Sequence, residues 1–274
     1  MHSLELGSSP SLGSLFSLKD KVALVIGGSG FLGKEISAAL AELGAEIIVA
    51  SRNFEKNSEF VDLLGQKFPE INVIAMHVDI TADNSIEKLL KEITLRFPTG
   101  IDILVNCGWS GKKNNFTSIT LEDWSQDLEV CLTGVFRTIK AFLPLLALKQ
   151  GNILNIASMY GHIAPDYRLY DDYTYANPPS YGAAKAGIIQ LTKYLSSFLS
   201  VQKIRVNCIS PGPFPFATTK LENPEFIEKL SQKNPLNRVG LPYEVKGAVA
   251  LLCSNAGSYM TGQNICVDGG WSVW

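Results

Sequence analysis

Residues that build metal sites and disulfide frameworks are scarce in this chain, which has five cysteines and three histidines among its 274 residues. The cysteines are dispersed and no group of them has the spacing of metal ligands, so we expect no metal site. Three cysteines lie in or beside apolar, strand-like runs, which is typical of buried free thiols in a reducing compartment. We therefore expect a cytoplasmic protein. The five positions are Cys107, Cys131, Cys208, Cys253 and Cys266.

Charge of one sign and long apolar runs are also scarce. The formal net charge is −2 and the basic residues are scattered, which argues against nucleic-acid binding. No run approaches the roughly 18 consecutive apolar residues of a membrane span. Residues 1–17 have neither the basic start nor the apolar run of a signal peptide. We expect a flexible leader there, rather than an oligomer-contacting arm, followed by one domain over 18–274.

Apolar segments alternate with helical patterns from residue 21 to the end. Strands are predicted at 22–26, 46–50, 73–78, 101–105, 152–156, 204–209 and 265–267. Helices are predicted near 31–43, 55–67, 83–96, 122–148, 180–200 and 243–253. Continuous apolar strands separated by helices indicate a parallel sheet with helices on both faces. Right-handed crossovers then give a single-domain α/β fold with a doubly wound, Rossmann-type sheet of about seven strands.

A glycine-rich turn joins the first predicted strand to the first long helix, with the sequence Gly27-Gly28-Ser29-Gly30-Phe31-Leu32-Gly33. Glycines in such a turn let backbone amides approach a pyrophosphate at the helix N-terminus. A tight turn with no ligand would use the same residue types, but the order of strand, glycines and helix favours a dinucleotide. The predicted cofactor contacts are Gly27, Ser29, Gly30, Phe31, Leu32 and Gly33.

The end of the second predicted strand bears on which dinucleotide is bound. Sites for NAD usually carry an acidic residue here for the ribose 2′-hydroxyl, and this chain has none. Ser51 and Arg52 can instead receive a 2′-phosphate, although a solvated surface arginine is the alternative. We favour NADP(H), with NAD(H) possible. Asp79, after the third strand, is a candidate acceptor for the adenine amino group or a helix cap.

Tyr181 and Lys185 lie four residues apart in an alanine-rich predicted helix, so both side chains lie on one face. A free tyrosine, with a pKa of about 10, is a poor acid–base catalyst near neutrality. An ammonium group held close to a phenol stabilises the phenolate and makes proton transfer easier. Tyrosine and lysine share this spacing by chance in many helices, so the significance of the pair depends on its surroundings.

The surrounding motifs resemble those of the short-chain dehydrogenase/reductase family over almost the whole chain. Residues 104–108 are similar to its Asn-Asn-Ala-Gly segment, and 156–161 to the segment that carries its catalytic serine. Tyr181 and Lys185 match its Tyr-x-x-x-Lys motif. Residues 207–212 match its Pro-Gly turn, and 267–270 its last strand and subunit-contact region. Five ordered matches indicate an enzyme of this family.

The resemblance implies a mechanism and a cofactor site. Ser158 hydrogen-bonds the substrate oxygen, Tyr181 exchanges a proton with that oxygen, and Lys185 supports the phenolate and holds the nicotinamide ribose. The resemblance also implies a homodimer or homotetramer formed through the helices near 122–148 and 180–200 and the C-terminal strand. The further cofactor contacts that it implies are Ile80, Asn106, Pro211, Gly212, Phe214 and Thr218.

Two departures from the family pattern support alternative functions. The glycine spacing is similar to that of the family's extended epimerases and dehydratases, yet only 93 residues follow Tyr181, too few for their larger C-terminal domain. Cys131 stands where the family has an asparagine that supports a proton relay to the lysine, and a thiol is a weak hydrogen-bond partner. A sugar-nucleotide epimerase or dehydratase and a non-catalytic NADP(H)-binding protein therefore remain alternatives.

A third departure concerns the substrate. Ser158 and Tyr181 are 23 residues apart, more than is usual in the family, and residues 159–180 between them are rich in tyrosine and carboxylates. We expect this segment to cover a polyhydroxylated substrate, with Arg168 available for a phosphate or carboxylate. A segment that packs on its own tyrosines or on another subunit is the alternative. The segment is similar to oxidoreductases of bacterial surface-sugar and flagellin modification, which indicates a small carbohydrate substrate.

Overall fold

The computed structural model describes residues 9–109, 114–171 and 176–274. Seven parallel strands form one sheet in the spatial order β3-β2-β1-β4-β5-β6-β7. The strands are β1 (Val22–Ile26), β2 (Glu46–Ser51), β3 (Val73–His77), β4 (Ile103–Asn106), β5 (Asn152–Ile156), β6 (Arg205–Pro211) and β7 (Asn264–Val267). The predicted doubly wound α/β sheet is confirmed, and every predicted strand is present with small shifts at its ends.

The helices connect the strands and cover both faces of the sheet. They are α1 (Leu12–Phe16), α2 (Phe31–Glu42), α3 (Phe54–Lys67), α4 (Asp83–Arg96), α5 (Leu121–Leu128), α6 (Gly134–Lys149), α7 (Pro179–Phe198), α8 (Ala217–Glu222), α9 (Pro224–Gln232) and α10 (Lys246–Cys253). The sequence analysis did not predict α1, α8 or α9. The first two contain no buried residue and so lack the apolar repeat on which the predictions relied, whereas α9 has an apolar side but only nine residues.

The core explains why the strands are continuously apolar. Every residue of β1, β4 and β5 is buried, because neighbouring side chains point to opposite faces and helices cover both. Leu24 packs in the cluster that includes side chains of α4, α6 and α7. Ala23 and Val25 pack in the cluster that includes side chains of α2, α3 and α10. The two clusters therefore pack the helices against opposite faces of the sheet.

The helix predicted near 122–148 is interrupted by a π-helical turn. Glu129–Thr133 adopts this conformation between α5 and α6, and it contains Cys131. Within the described part of the chain, the whole stretch Leu121–Lys149 is the one helix long and apolar enough to cross a membrane by length and composition. Half of its most apolar window is buried inside the fold, which is typical of a core helix. Wide π-turns of this kind are frequent at functional sites.

The predicted leader is partly helical. Residues 1–8 lie outside the described residues, whereas α1 occupies most of the remainder and is capped by Ser11, whose hydroxyl oxygen accepts the backbone N–H of Ser14. Leu18, at the start of the predicted domain, is 2% exposed and packs in the same cluster as Ala23. The domain boundary at residue 18 stays a prediction, and α1, inside the predicted leader, contacts the turn at Asn255–Gly257.

Candidate active site

A large cleft lies at the carboxyl ends of the strands. Its volume is about 1090 Å³, and it opens beside β1 and β4, where the strand order reverses. Open α/β sheets bind ligands at this position because the loops on either side diverge and leave a crevice. The predicted residues that line it are Gly27, Ser29, Gly30, Phe31, Leu32, Gly33, Ser51, Arg52, Asp79, Ile80, Ser158, Tyr181, Lys185, Pro211, Gly212 and Phe214.

Two predicted cofactor residues do not line the cleft. Thr218 is exposed on α8, and its neighbour Thr219 lines the cleft instead, because a single step along a helix turns the side chain by about 100°. Asn106 is 3% exposed and its amide is used inside the sheet. Lining residues that the sequence analysis missed include Asn53, Lys56, Thr81, Cys107, Trp109 and Phe226.

The glycine-rich turn is shaped to receive a phosphate group. Gly27 has a φ of +78°, a conformation that strongly favours glycine. A Cβ on Gly33 would lie 2.0 Å from the Gly27 carbonyl oxygen, so helix and turn approach too closely for any side chain. Gly30 precedes α2 and offers no side-chain cap, which leaves the first backbone N–H groups of the helix directed toward an anion. The turn therefore fits a dinucleotide pyrophosphate.

Positive charge is available beside the end of β2. Arg52 is exposed at the cleft, and its guanidinium makes no hydrogen bond or ion pair with any residue that the structure describes. Lys56 lies one turn further along and also lines the cleft. Burial alone would raise the pKa of Asp79, but hydrogen bonds from Thr81 and the charge of Arg52 outweigh it and lower this pKa. The Asp79 carboxylate accepts hydrogen bonds from the backbone N–H and the hydroxyl of Thr81, in the turn before α4.

The candidate catalytic side chains come from the end of β5 and the first turns of α7. Ser158 is 6% exposed, and its Oγ accepts the backbone N–H of Tyr160 at 3.2 Å. The Nζ of Lys185 lies 5.7 Å from the centre of the Tyr181 ring. Lys185 is 4% exposed and Nζ donates to the Ile156 carbonyl oxygen at 2.7 Å. The Lys185 side chain is therefore held beside the phenol by a buried hydrogen bond.

Lys185 has a backbone hydrogen-bond acceptor, the Ile156 carbonyl oxygen, which does not depend on Cys131. Cys131 is fully buried in the π-helical turn, which packs against α7. A backbone carbonyl accepts a hydrogen bond from an ammonium group far better than a thiol does. Cys107, in the cleft wall, stays a neutral thiol because burial raises its pKa to about 11 against the opposing charge of Lys185.

A chain of buried, hydrogen-bonded side chains connects the sheet to α7, the catalytic helix that carries Tyr181 and Lys185. Thr138 on α6 donates to Asn106, Asn106 donates to Asn155 at 3.0 Å, and Asn155 donates to Thr192 on α7 at 3.0 Å. All four residues are at most 3% exposed. The chain joins β4 and β5 to α6 and α7, two helices in the same core cluster, and Asn155, which accepts from Asn106, donates directly to α7.

Described residues of the segment 159–180 line one side of the cleft. Tyr160 and Tyr170 line it, and their hydroxyl oxygens lie 3.4 Å apart. Burial above all raises the pKa of Tyr160 far above its ordinary range, so this phenol remains protonated. The Tyr170 ring packs on Phe226 of α9, with ring centres 5.4 Å apart. Tyr173, Tyr175 and Asp172 lie outside the described residues.

Two ion pairs tie the same segment to α9 and the residue after it. Asp171 pairs with Lys229, and Asp166 pairs with Lys233. Arg168, predicted to be available for a substrate phosphate or carboxylate, instead donates two hydrogen bonds to Asp166 and does not line the cleft. These hydrogen bonds hold the pKa of Asp166 well below its ordinary value. Local pairing thus removes Arg168 from the site.

All five cysteines are free. Cys131, Cys208 and Cys253 are buried, Cys107 is half-buried, and Cys266 is exposed on β7. Its Sγ lies 3.6 Å from Nε2 of His162. Over the three described stretches of the chain, no group of three or more metal-ligating side chains comes together.

Comparison with known proteins places this site in a family. The family model described as Enoyl-(Acyl carrier protein) reductase matches residues 29–272. A 3-oxoacyl-[acyl-carrier-protein] reductase of Vibrio cholerae is 35% identical over 93% of this chain and 98% of its own. A short-chain type dehydrogenase/reductase from Mycobacterium marinum superposes with a TM-score of 0.85 at 30% identity, covering 96% of this chain and 100% of that one.

A further solved structure is a gluconate 5-dehydrogenase from Burkholderia cenocepacia in complex with NADP and tartrate. It superposes with a TM-score of 0.86 at 25% identity and covers 96% of this chain and 100% of its own. The family-model match begins within the glycine-rich turn and includes the serine segment and the Tyr181–Lys185 pair. The chain therefore belongs to the short-chain dehydrogenase/reductase family and is an NAD(P)-dependent oxidoreductase that acts on a CH–OH group.

Proposed function

We propose that the protein is an NADP(H)-dependent oxidoreductase that interconverts an alcohol with a ketone or aldehyde on a sugar or sugar-derived substrate. The observation that carries the proposal is the placement of Ser158, Tyr181 and Lys185 in the same cleft as the glycine-rich turn. The five free thiols favour a cytoplasmic location. A homodimer or homotetramer follows from family analogy alone.

The side chains divide the proton chemistry among them. In the reducing direction, the Ser158 hydroxyl donates a hydrogen bond to the substrate carbonyl oxygen and stabilises its developing negative charge. Tyr181 transfers its phenolic proton to that oxygen, and the Lys185 ammonium stabilises the phenolate that remains. A nicotinamide dinucleotide held at the glycine-rich turn would supply or accept the hydride. In the oxidising direction the same residues act in reverse, with the Tyr181 phenolate as the base.

The choice of NADP(H) rests on the cations beside β2. Replacing Arg52 with alanine should weaken NADPH binding roughly 10- to 100-fold, since a charge-assisted hydrogen bond contributes about 1.5–3 kcal/mol. NADH binding should change less than about threefold, because NADH has no group for Arg52 to neutralise. Fluorescence titration of both dinucleotides measures the two Kd values, with Arg52→Lys as the charge-retaining control. Equal losses for NADPH and NADH would contradict a role at the 2′-phosphate.

The aromatic wall of the cleft supports a sugar-like substrate. Trp109 is 49% exposed, lines the cleft, and meets Tyr181 edge-on with ring centres 6.5 Å apart. Exposed aromatic faces pack against the apolar C–H faces of sugar rings, while the hydroxyl groups of Tyr160 and Tyr170 can bond their oxygens. A ring-shaped polyol uses both features at once.

A substrate panel tests the proposal. Sugars, keto-sugars, sugar phosphates and a 3-oxoacyl thioester are each incubated with NADPH and with NADP⁺. The Tyr181→Phe variant is the blank, and the absorbance of the reduced nicotinamide is followed at about 340 nm. Turnover of a neutral sugar or keto-sugar is the expected result. Turnover of the thioester alone would assign the protein to acyl reduction. Cofactor binding without turnover of any class would favour the non-catalytic alternative. Product formed without net absorbance change would favour an epimerase or dehydratase.

Trp109→Ala should lower kcat/KM for a ring-shaped substrate about tenfold, because an aromatic contact contributes about 0.5–1.5 kcal/mol beyond its buried area. The Kd for NADPH should stay unchanged, and Trp109→Phe should retain most of the activity. A small open-chain ketone serves as the comparison substrate, and its kcat/KM should fall much less. Equal losses for both substrates would show that Trp109 supports Tyr181 rather than the substrate.

A further inference from the structure

Asn57 is a completely buried amide behind the dinucleotide end of the cleft. It lies on α3, and its side chain is 0% exposed. Nδ2 donates to the Met76 carbonyl oxygen at 2.8 Å and makes a longer contact, 3.4 Å, with the Ser51 carbonyl oxygen. Oδ1 accepts the hydroxyl groups of Ser29 and Ser51 at 2.6 and 2.7 Å. One amide thus joins the glycine-rich turn to β2 and β3.

The Met76 carbonyl fixes which way this amide points. A reversed amide would place Oδ1 against the Met76 oxygen, which is two acceptors in contact, so Oδ1 must face the two serines. Each serine has a single hydroxyl hydrogen, and Oδ1 takes both. The other acceptor near the Ser51 hydroxyl is the Asn53 carbonyl oxygen, at 3.4 Å, which is again a protein group.

These hydrogen bonds determine whether Ser29 and Ser51 can donate to a ligand or only accept from it. Ser29 and Ser51 both line the cleft, beside the position where the adenosine ribose binds in sheets of this kind. With their hydrogens committed to Asn57, they present lone pairs. A ribose hydroxyl can donate to such oxygens, whereas a 2′-phosphate, which only accepts, gains nothing from them. Attraction for a 2′-phosphate is then left to Arg52 and Lys56.

We propose that Asn57 is a positioning residue that limits the preference of this cleft for NADP(H), because it holds Ser29 and Ser51 as hydrogen-bond acceptors that favour a free 2′-hydroxyl. The inference rests on the dinucleotide binding of the proposed function and not on its substrate. Direct binding of NADPH and NADH therefore tests it whatever the substrate panel shows.

The first test is Asn57→Leu, which keeps the branched shape of the side chain and removes the acceptor. The two serine hydroxyl groups are then free to donate to a 2′-phosphate, so the ratio of the NADH Kd to the NADPH Kd should rise about tenfold. Fluorescence titration gives both constants, and thermal unfolding checks the fold. An unchanged ratio in a folded variant would overturn the proposal, since a purely structural role weakens both dinucleotides equally.

The second test needs no change at Asn57. Ser51→Ala removes an acceptor from the ribose site, so it should weaken NADH about three- to tenfold and NADPH less. A larger loss for NADPH would mean that Ser51 donates to the phosphate, which would overturn the proposal. In a Ser29→Ala, Ser51→Ala background, Asn57→Leu should leave the Kd ratio unaltered, because the residue acts through these two hydroxyl groups. A full-sized shift in that background would equally refute it.

Discussion

Replacing Tyr181 with phenylalanine should reduce kcat about a thousandfold while leaving the Kd for NADPH nearly unchanged. The substitution removes only the phenolic oxygen, which is the sole proton donor proposed for the substrate oxygen. The ring remains, so its edge-on contact with Trp109 and its position beside the Lys185 ammonium are retained. Single-turnover kinetics with the substrate found in the panel, together with fluorescence titration of NADPH, separate loss of chemistry from loss of binding.

The matched control is Tyr194→Phe, the same chemical change on the same helix. Tyr194 is 61% exposed and stacks on Phe198, and it does not line the cleft. Its kcat should equal that of the parent protein. A Tyr181→Phe variant that reduces substrate at the parental rate would show that the proton comes from elsewhere, and the assignment of Tyr181 would be wrong.

Replacing Gly33 with alanine should abolish measurable dinucleotide binding and lower the free energy of unfolding by about 1–3 kcal/mol, or more. The added Cβ would lie 2.0 Å from the Gly27 carbonyl oxygen and 3.1 Å from the Gly28 carbonyl carbon. Both are backbone atoms, so relief requires the turn to move away from α2. That movement misplaces the N–H groups that receive the pyrophosphate. Urea unfolding and NADPH titration measure the two effects.

Gly65→Ala is the control for this substitution. Gly65 is also helical, on α3, but a Cβ there meets nothing within 4 Å. Alanine is the better helix former, so this variant should be more stable than the parent by about 0.5–1 kcal/mol and should bind NADPH equally well. Comparable behaviour of the two variants would show that the close approach at Gly33 is not what shapes the turn.

The sequence allowed prediction of those features that depend on neighbours along the chain. The seven strands follow from local apolar runs, and the glycine-rich turn from its place between a strand and a helix. Tyr181 and Lys185 share a helix face because of their spacing, and Ser158 lies beside them because adjacent parallel segments end at one edge of the sheet. Family resemblance supplied their roles, which spacing alone does not contain.

Features that depend on tertiary contacts were beyond the sequence. Nothing in the spacing of Asn57 indicates that its amide joins Ser29, Ser51 and Met76, because these partners come together only when two strands and a helix pack. The charge of Arg168 predicts a contact with an anionic substrate group, but its guanidinium donates instead to Asp166, two residues away. Thr218 and Thr219 differ by one helical step, which a prediction of helix boundaries cannot resolve.

The buried chain from Thr138 through Asn106 and Asn155 to Thr192 has a consequence for strand alignment. Asn106 pairs with Asn155 across β4 and β5. A slip by two residues would preserve which side chains face each layer, so apolar burial hardly opposes it. It would, however, set Asn106 beside Ile153 and leave buried amides unpaired, at a cost of about 1–3 kcal/mol each. The interior amides therefore fix the register of β4 and β5, and with it the position of Ser158 relative to the catalytic helix.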